Sequence, residues 1–171
     1  MAKLRAPLFL RRPRRRYIAH FLPQPFRLTV QVQPLTPGDY DALVDLWKQA
    51  GLEYRPNGRD SKLSIVVQMS LDPELFLGAF QNGRLIGSVI ATFDGRRGWV
   101  NRLAIVPEER RKGVAKALIA RAEKLLRQRG AMIIGAHVER ENTASLRFFE
   151  SCGYNLRGDM VYVSKRERSD V

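Results

Sequence analysis

From Leu28 the chain alternates, with Leu28, Val30 and Val32 set against Thr29, Gln31 and Gln33. That is the period of a half-buried strand, and Pro34 closes it. Thr36, Pro37 and Asp39 then have the form of a helix start: a capping hydroxyl, a proline in the first turn and an acid three residues on. Tyr40, Leu43, Val44 and Trp47 follow at helical spacing, and Gly51 ends the run. A polar stretch over 53–60 separates this helix from a second helical pattern over 61–71. Beyond Asp72-Pro73, apolar runs at 75–81 and 84–93 flank Asn82-Gly83, a pair that predicts a two-residue hairpin. Asp94-Gly95 opens another turn, and 99–106 reads as a strand ended by Pro107. The predicted order is a strand, two helices and an antiparallel meander.

A different kind of segment follows. Strand 99–106 runs through Glu108, Glu109, Arg110, Arg111, Lys112 and Gly113 into a helix with Leu118, Ile119, Ala122, Leu125 and Leu126 on one face. A helix N-terminus carries unpaired backbone N–H groups and the positive end of the helix dipole, so it suits a phosphate or pyrophosphate. Gly113 lets the backbone approach an anion closely, the small Ala115 keeps the way open, and Arg110, Arg111 and Lys112 add charge. The same residues also serve a plain solvated helix cap. Next come a strand over 131–138 and a helix over 141–152, which Gly153 stops.

Composition narrows the choices. The length, 171 residues, suits one domain, and 44% hydrophobic with 27% charged residues is a globular balance. No apolar run approaches the ~18 residues of a membrane span. One cysteine, Cys152, forms no internal disulfide, and with only His20 and His137 there is no zinc-type cluster. A reducing, cytoplasmic setting without a structural metal is expected. The net charge of +13 points toward nucleic acid until it is divided along the chain. Residues 1–38 hold eight bases and no acid, while the other 133 residues hold 22 bases and 17 acids. Most of the excess therefore lies in residues 1–27, where Pro7, Pro13, Pro23 and Pro25 interrupt any long helix. This stretch is expected to be a disordered basic extension. Its Arg-rich, acid-free composition also fits a transit peptide or an anchor for an anionic surface. Nucleic-acid contact is expected only through it, because the rest lacks a zinc motif, a helix-turn-helix pattern or basic and aromatic interleaving.

The later motifs carry a family resemblance. Arg110, Gly113 and Ala115 match the form Gln/Arg-x-x-Gly-x-Gly/Ala. Asn142, Ser145, Gly153 and Tyr154 match Asn-x-x-Ala/Ser-x-x-x-Tyr-x-x-x-Gly-Phe/Tyr, in the expected order with a helix and a strand between the two motifs. Together they resemble the GCN5-related N-acetyltransferase (GNAT) superfamily over about residues 28–165. The hairpin with 94–98 resembles its uncharacterised YpeA-like branch. The resemblance implies an α+β, three-layer fold over a single domain, 28–171. Its central mixed, mostly antiparallel sheet has about six or seven strands and about four flanking helices, and it splays between strands 4 and 5.

The resemblance also implies roles. Leu103, Ala104 and Ile105 would pair with the pantetheine arm of acetyl-CoA, the acyl-donor substrate, by strand addition. The amides of Arg111, Lys112, Gly113, Val114, Ala115 and Lys116, with Arg110 beside them, would hold its pyrophosphate, and Asn142 would contact its arm. Acetyl would pass directly to an amine, the oxyanion meeting a backbone N–H, with no covalent enzyme intermediate. Cys152 therefore needs no catalytic role. The tyrosine that relatives use to protonate the thiolate corresponds to Phe149, which has no hydroxyl. The base position corresponds to His137, with Glu139, two positions along on the same strand face, as the alternative, and Glu53 and Tyr54 lie where such folds build the acceptor site. Three functions compete: an N-acetyltransferase acting on a small-molecule or protein amine as monomer or homodimer, a catalytically weak acyl-CoA-binding sensor or interaction module, and a nucleic-acid-associated protein.

Overall fold

The computed structural model describes residues 30–168, so the expected basic extension over 1–27 lies outside the described residues. Strand β1 (Gln31–Pro34) leads through a short turn into α1 (Tyr40–Ala50). Asp39 closes that turn, its carboxylate accepting both the backbone N–H and the hydroxyl of Thr36 at 2.7 Å. Helix α2 (Lys62–Leu71) follows, with the Ser61 hydroxyl accepting the Ser64 N–H at its start. Then come β2 (Phe76–Gln81), β3 (Arg84–Phe93) and β4 (Arg97–Ile105). Asn82 and Gly83 both have positive φ, 52° and 76°, as the two-residue turn between β2 and β3 requires. Helix α3 (Val114–Gln128), β5 (Ile133–Ala136) and α4 (Thr143–Ser151) complete the order.

The strands form one sheet in the order β1-β2-β3-β4-β5, antiparallel except for β4 with β5. The described residues thus hold five strands, fewer than the six or seven expected. After α4, residues 154–166 form no strand, and Val161, Tyr162 and Val163 stay exposed. The mixed sheet and the four helices agree with the expectation. Helix α1 lies on one face, where the buried Trp47 indole donates to the Ser88 hydroxyl at 3.1 Å. Helix α3 lies on the other, so close that a Cβ on Gly98 would come within 2.7 Å of Leu126. The core between them includes Leu43, Trp47, Phe76, Leu77, Val89, Leu118 and Leu126, each essentially inaccessible to solvent. Leu118 and Ile119 are core residues, as their spacing predicts. No helix among the described residues is long and apolar enough to cross a membrane.

Candidate active site

Two departures from regular pairing in β4 shape the site. The first is where β5 leaves it: β5 pairs from Arg97↔Ile133 to Val100↔Ala136 and then ends. Beyond that fork, residues 101–105 of β4 keep β3 on one side and have no strand on the other. The second is a bulge. Ile90 pairs with Asn101 and Ser88 with Ala104, so two steps along β3 span three along β4. Arg102 is the residue inserted there, with φ +54°, the left-handed region that branched side chains avoid.

The free edge holds Leu103, Ala104 and Ile105, with Ala104 and Ile105 buried. It leads within nine residues to the start of α3. Gly113 caps that helix at φ +88°, and a Cβ there would meet nothing within 4 Å, so the approach to the helix end is open. The first bond of the helix runs from the Ala117 N–H to the Gly113 carbonyl at 3.1 Å. The N–H groups of Val114, Ala115 and Lys116 precede it and have no acceptor within the helix. Arg111 and Lys112 are exposed beside them, with the Lys112 ammonium 3.2 Å from Glu109. Arg110 does not join this group. Its guanidinium turns back to donate to the carbonyls of Ile105 (3.2 Å) and Ala50 (2.8 Å), so it ties the loop to the end of α1.

The residues present suit an acyl-CoA by their chemistry. An unpaired strand edge matches an amide-bearing arm, and a helix N-terminus flanked by two cations matches a diphosphate. The Arg110 bond already occupies the Ile105 carbonyl, so the edge open for pairing is shorter than the sequence implies. Asn142, matched to a cofactor contact, uses its side-chain oxygen to accept the Ser145 N–H at 3.1 Å as the cap of α4.

The other flank is built from side chains. Gly98 faces α3, so its neighbour Trp99 points to the α1 face. His137 directly follows the last paired residue of β5, at the vertex of the fork, and stacks on Trp99 with ring centroids 4.9 Å apart and planes 8° apart. The Tyr162 ring lies 5.4 Å from His137. Glu139 is not on a shared strand face with His137, as the sequence reading expected. Strand β5 stops at Ala136, and the Glu139 carbonyl accepts the Asn142 N–H in the turn that starts α4. Phe149 is buried in the core, its ring edge-on to Phe148 and Tyr154 at 5.4 and 5.0 Å.

On the α1 face a hollow of about 310 Å³ is lined by Glu53, Tyr54, Arg55, Pro56 and Asn57. The Glu53 carboxylate meets Arg55 at 2.5 Å and Arg59 at 3.4 Å. The Arg55 hydrogen bond holds it below the usual carboxylate range, which makes it a poor proton acceptor near neutrality. The Tyr54 hydroxyl lies 3.0 Å from that of Tyr40, which donates to the Asp60 carbonyl at 3.1 Å. Burial is the main cause that pushes the Tyr40 phenol well above its ordinary value. Asp60 is buried and Arg102 reaches it; neither stood out in the sequence beyond a charge inside a strand and an acid at the end of a polar loop.

Comparisons with known proteins bear on the family and the fold. Residues 40–154 match the acetyltransferase (GNAT) family model. The chain is 34% identical over 137 residues to an acetyltransferase of Pectobacterium atrosepticum, covering 80% of this chain and 95% of that one. Among solved structures, PaiA N-acetyltransferase of Thermoplasma acidophilum in complex with coenzyme A superposes with a TM-score of 0.67 at 22% identity, over 75% of this chain and 91% of that one. An aminoglycoside N-acetyltransferase in complex with CoA gives 0.64 at 19% identity, over 81% and 95%. With the family model spanning most of the folded region and a relative sharing a third of its residues, the chain belongs to the GNAT family of acetyltransferases.

Proposed function

We propose that this chain is an acetyl-CoA-dependent N-acetyltransferase that passes acetyl directly from the thioester to a primary amine of a small molecule or protein. The observation that carries this reading is the fork: β4 loses its β5 partner after Val100 and runs, edge open, toward an uncovered helix N-terminus at Gly113. The amides of Val114, Ala115 and Lys116, with Arg111 and Lys112, hold the diphosphate of the donor. The open edge at Leu103 and Ala104 orients its amide-bearing arm and supplies a backbone N–H to the oxyanion formed when the amine attacks. CoA then leaves as the thiolate.

The amine must be neutral to attack. His137 sits at the vertex of the fork on the α1 face, the face that also holds the Glu53–Asn57 hollow, and it takes the proton. Glu53, held ionised by Arg55, contributes charge that orients the acceptor in the hollow beside Tyr54. Phe149 supports a second reading, an acyl-CoA-binding sensor with weak turnover. It is buried among aromatic rings and offers no proton to the departing thiolate.

One assay separates the two readings. Thiol release from acetyl-CoA is followed against polyamines, amino acids, aminoglycosides and peptides with free N-termini. Amine-dependent release with acetylated product supports the enzyme. Acetyl-CoA binding with no release on any amine overturns it in favour of the sensor.

A further inference from the structure

Arg102 is placed unlike any other charged residue of the sheet. It is the inserted residue of the β4 bulge, one position before Leu103, and it keeps φ +54° although an arginine in that region costs about 1–2 kcal/mol. Its guanidinium lies over the Trp47 ring, 4.9 Å from the centroid, and donates to both ends of the α1–α2 loop. One nitrogen bonds the Glu53 carbonyl and the other the Asp60 carboxylate. Asp60 is 2% exposed, and its second oxygen accepts the Arg55 N–H at 2.9 Å. A planar fork reaching two acceptors fixes direction as well as distance, which a lysine cannot do.

We propose that Arg102 is a positioning residue. It pins the loop that forms the acceptor hollow to the β4 bulge, so that the acceptor is held at a set distance from the strand that orients the acyl donor. The inference rests on the reading that the Glu53–Asn57 hollow takes the amine. The bulge is then more than a kink in the strand, because it sends a side chain that regular pairing would have turned elsewhere across to α1 and the loop. Glu53 and Asp60 close a loop of eight residues at its two ends, and Arg102 holds both. Loss of the pin frees the hollow while leaving the α3 helix start on the opposite face untouched.

The test compares the full chain with Arg102→Ala and Arg102→Lys. Amide hydrogen exchange is read at Arg55, whose N–H bonds Asp60, and at Val106, whose N–H bonds the Ile86 carbonyl at 3.1 Å behind the bulge. In Arg102→Ala, exchange at Arg55 accelerates at least about tenfold more than exchange at Val106, which reports the general loss of stability. The Kd for acetyl-CoA stays within about twofold, and KM for whichever of the four amine classes is acetylated rises about tenfold or more, with kcat changed less. Arg102→Lys keeps the ion pair but not the second bond and recovers part of both effects. Unchanged exchange at Arg55 overturns the pin. Faster exchange with an unchanged KM, or equal losses in acetyl-CoA affinity, overturns the positioning role. If no amine is acetylated, the proposed function fails, and exchange at Arg55 with acetyl-CoA Kd still decides whether the pin exists and spares the donor side.

Discussion

The two flanks of the fork are made of different materials. On the α3 side the groups that suit the acyl donor are backbone: an unpaired strand edge, three N–H groups at a helix start, and a glycine with open space where a Cβ would be. On the α1 side the groups that suit the acceptor are side chains in a cross-linked set: Arg102, Asp60, Tyr40, Tyr54 and Glu53. Backbone donors are held by the helix itself and cost little further stability to keep. Buried polar side chains are held by one another, so each is a structural support as well as a functional group. The contrast makes a rule that mutation can break: changes on the donor flank remove binding with little loss of stability, and changes at the buried members of the acceptor flank remove both.

The largest effect is expected at Gly113. Replacement by glutamate places a carboxylate at the proposed diphosphate site and forces a side chain into φ +88°, so acetyl-CoA is expected no longer to raise the melting temperature. Gly113→Ala bears the same backbone strain, about 1–2 kcal/mol, without the charge. Nothing lies within 4 Å of its new Cβ, so it keeps binding. Equal loss in the two variants would mean that conformation, and not the anion site, sets affinity.

Next is His137. As the base, its replacement by alanine lowers turnover by about 10²–10⁴-fold while acetyl-CoA affinity is kept. Unaltered turnover would leave His137 as a ring packed between Trp99 and Tyr162 and pass the role to a water-linked group or Glu139.

Asp60→Ala tests the other half of the rule. It strands the largely buried Arg102 guanidinium and the Arg55 N–H, at a cost of about 3 kcal/mol in denaturant unfolding. Arg111→Ala, on the exposed donor flank, changes stability by less than about 0.5 kcal/mol. Similar losses in the two would erase the distinction between the flanks.

The smallest effect belongs to Glu53. Its pKa lies below the ordinary 4.5 because Arg55 donates to it, so its charge and ion pairs are fully present above that value and are lost only as pH falls through the depressed one. Glu53→Gln shifts acceptor KM by no more than a few-fold, as suits an exposed charge, and evenly between pH 6 and 9. A Glu53 effect that titrates within that window would assign it the base role instead.

Much of the donor flank was legible in residue order because its parts are local. A strand, a turn, Gly113 and an amphipathic helix lie within thirty residues, and helix-start chemistry follows from the chain's own N–H groups. The hairpin at Asn82-Gly83 and the α1 start at Thr36 and Asp39 were legible for the same reason. Arg110 stands inside that motif, yet only the fold shows that the Ala50 and Ile105 carbonyls lie within reach of its guanidinium. Likewise Glu139 lies beyond the end of β5, in the turn where its carbonyl accepts the Asn142 N–H, and the described residues hold five strands and not six or seven. The pairing of Arg102 with Asp60 joins positions 42 residues apart, and no periodicity or spacing records a contact of that kind. Local sequence determined the helix starts, the hairpin and the glycine turn before α3, because the backbone groups involved belong to neighbours in the chain. Only the tertiary structure decided where β5 leaves β4, which arginine faces outward, and what holds the α1–α2 loop, because each depends on groups that folding alone brings together.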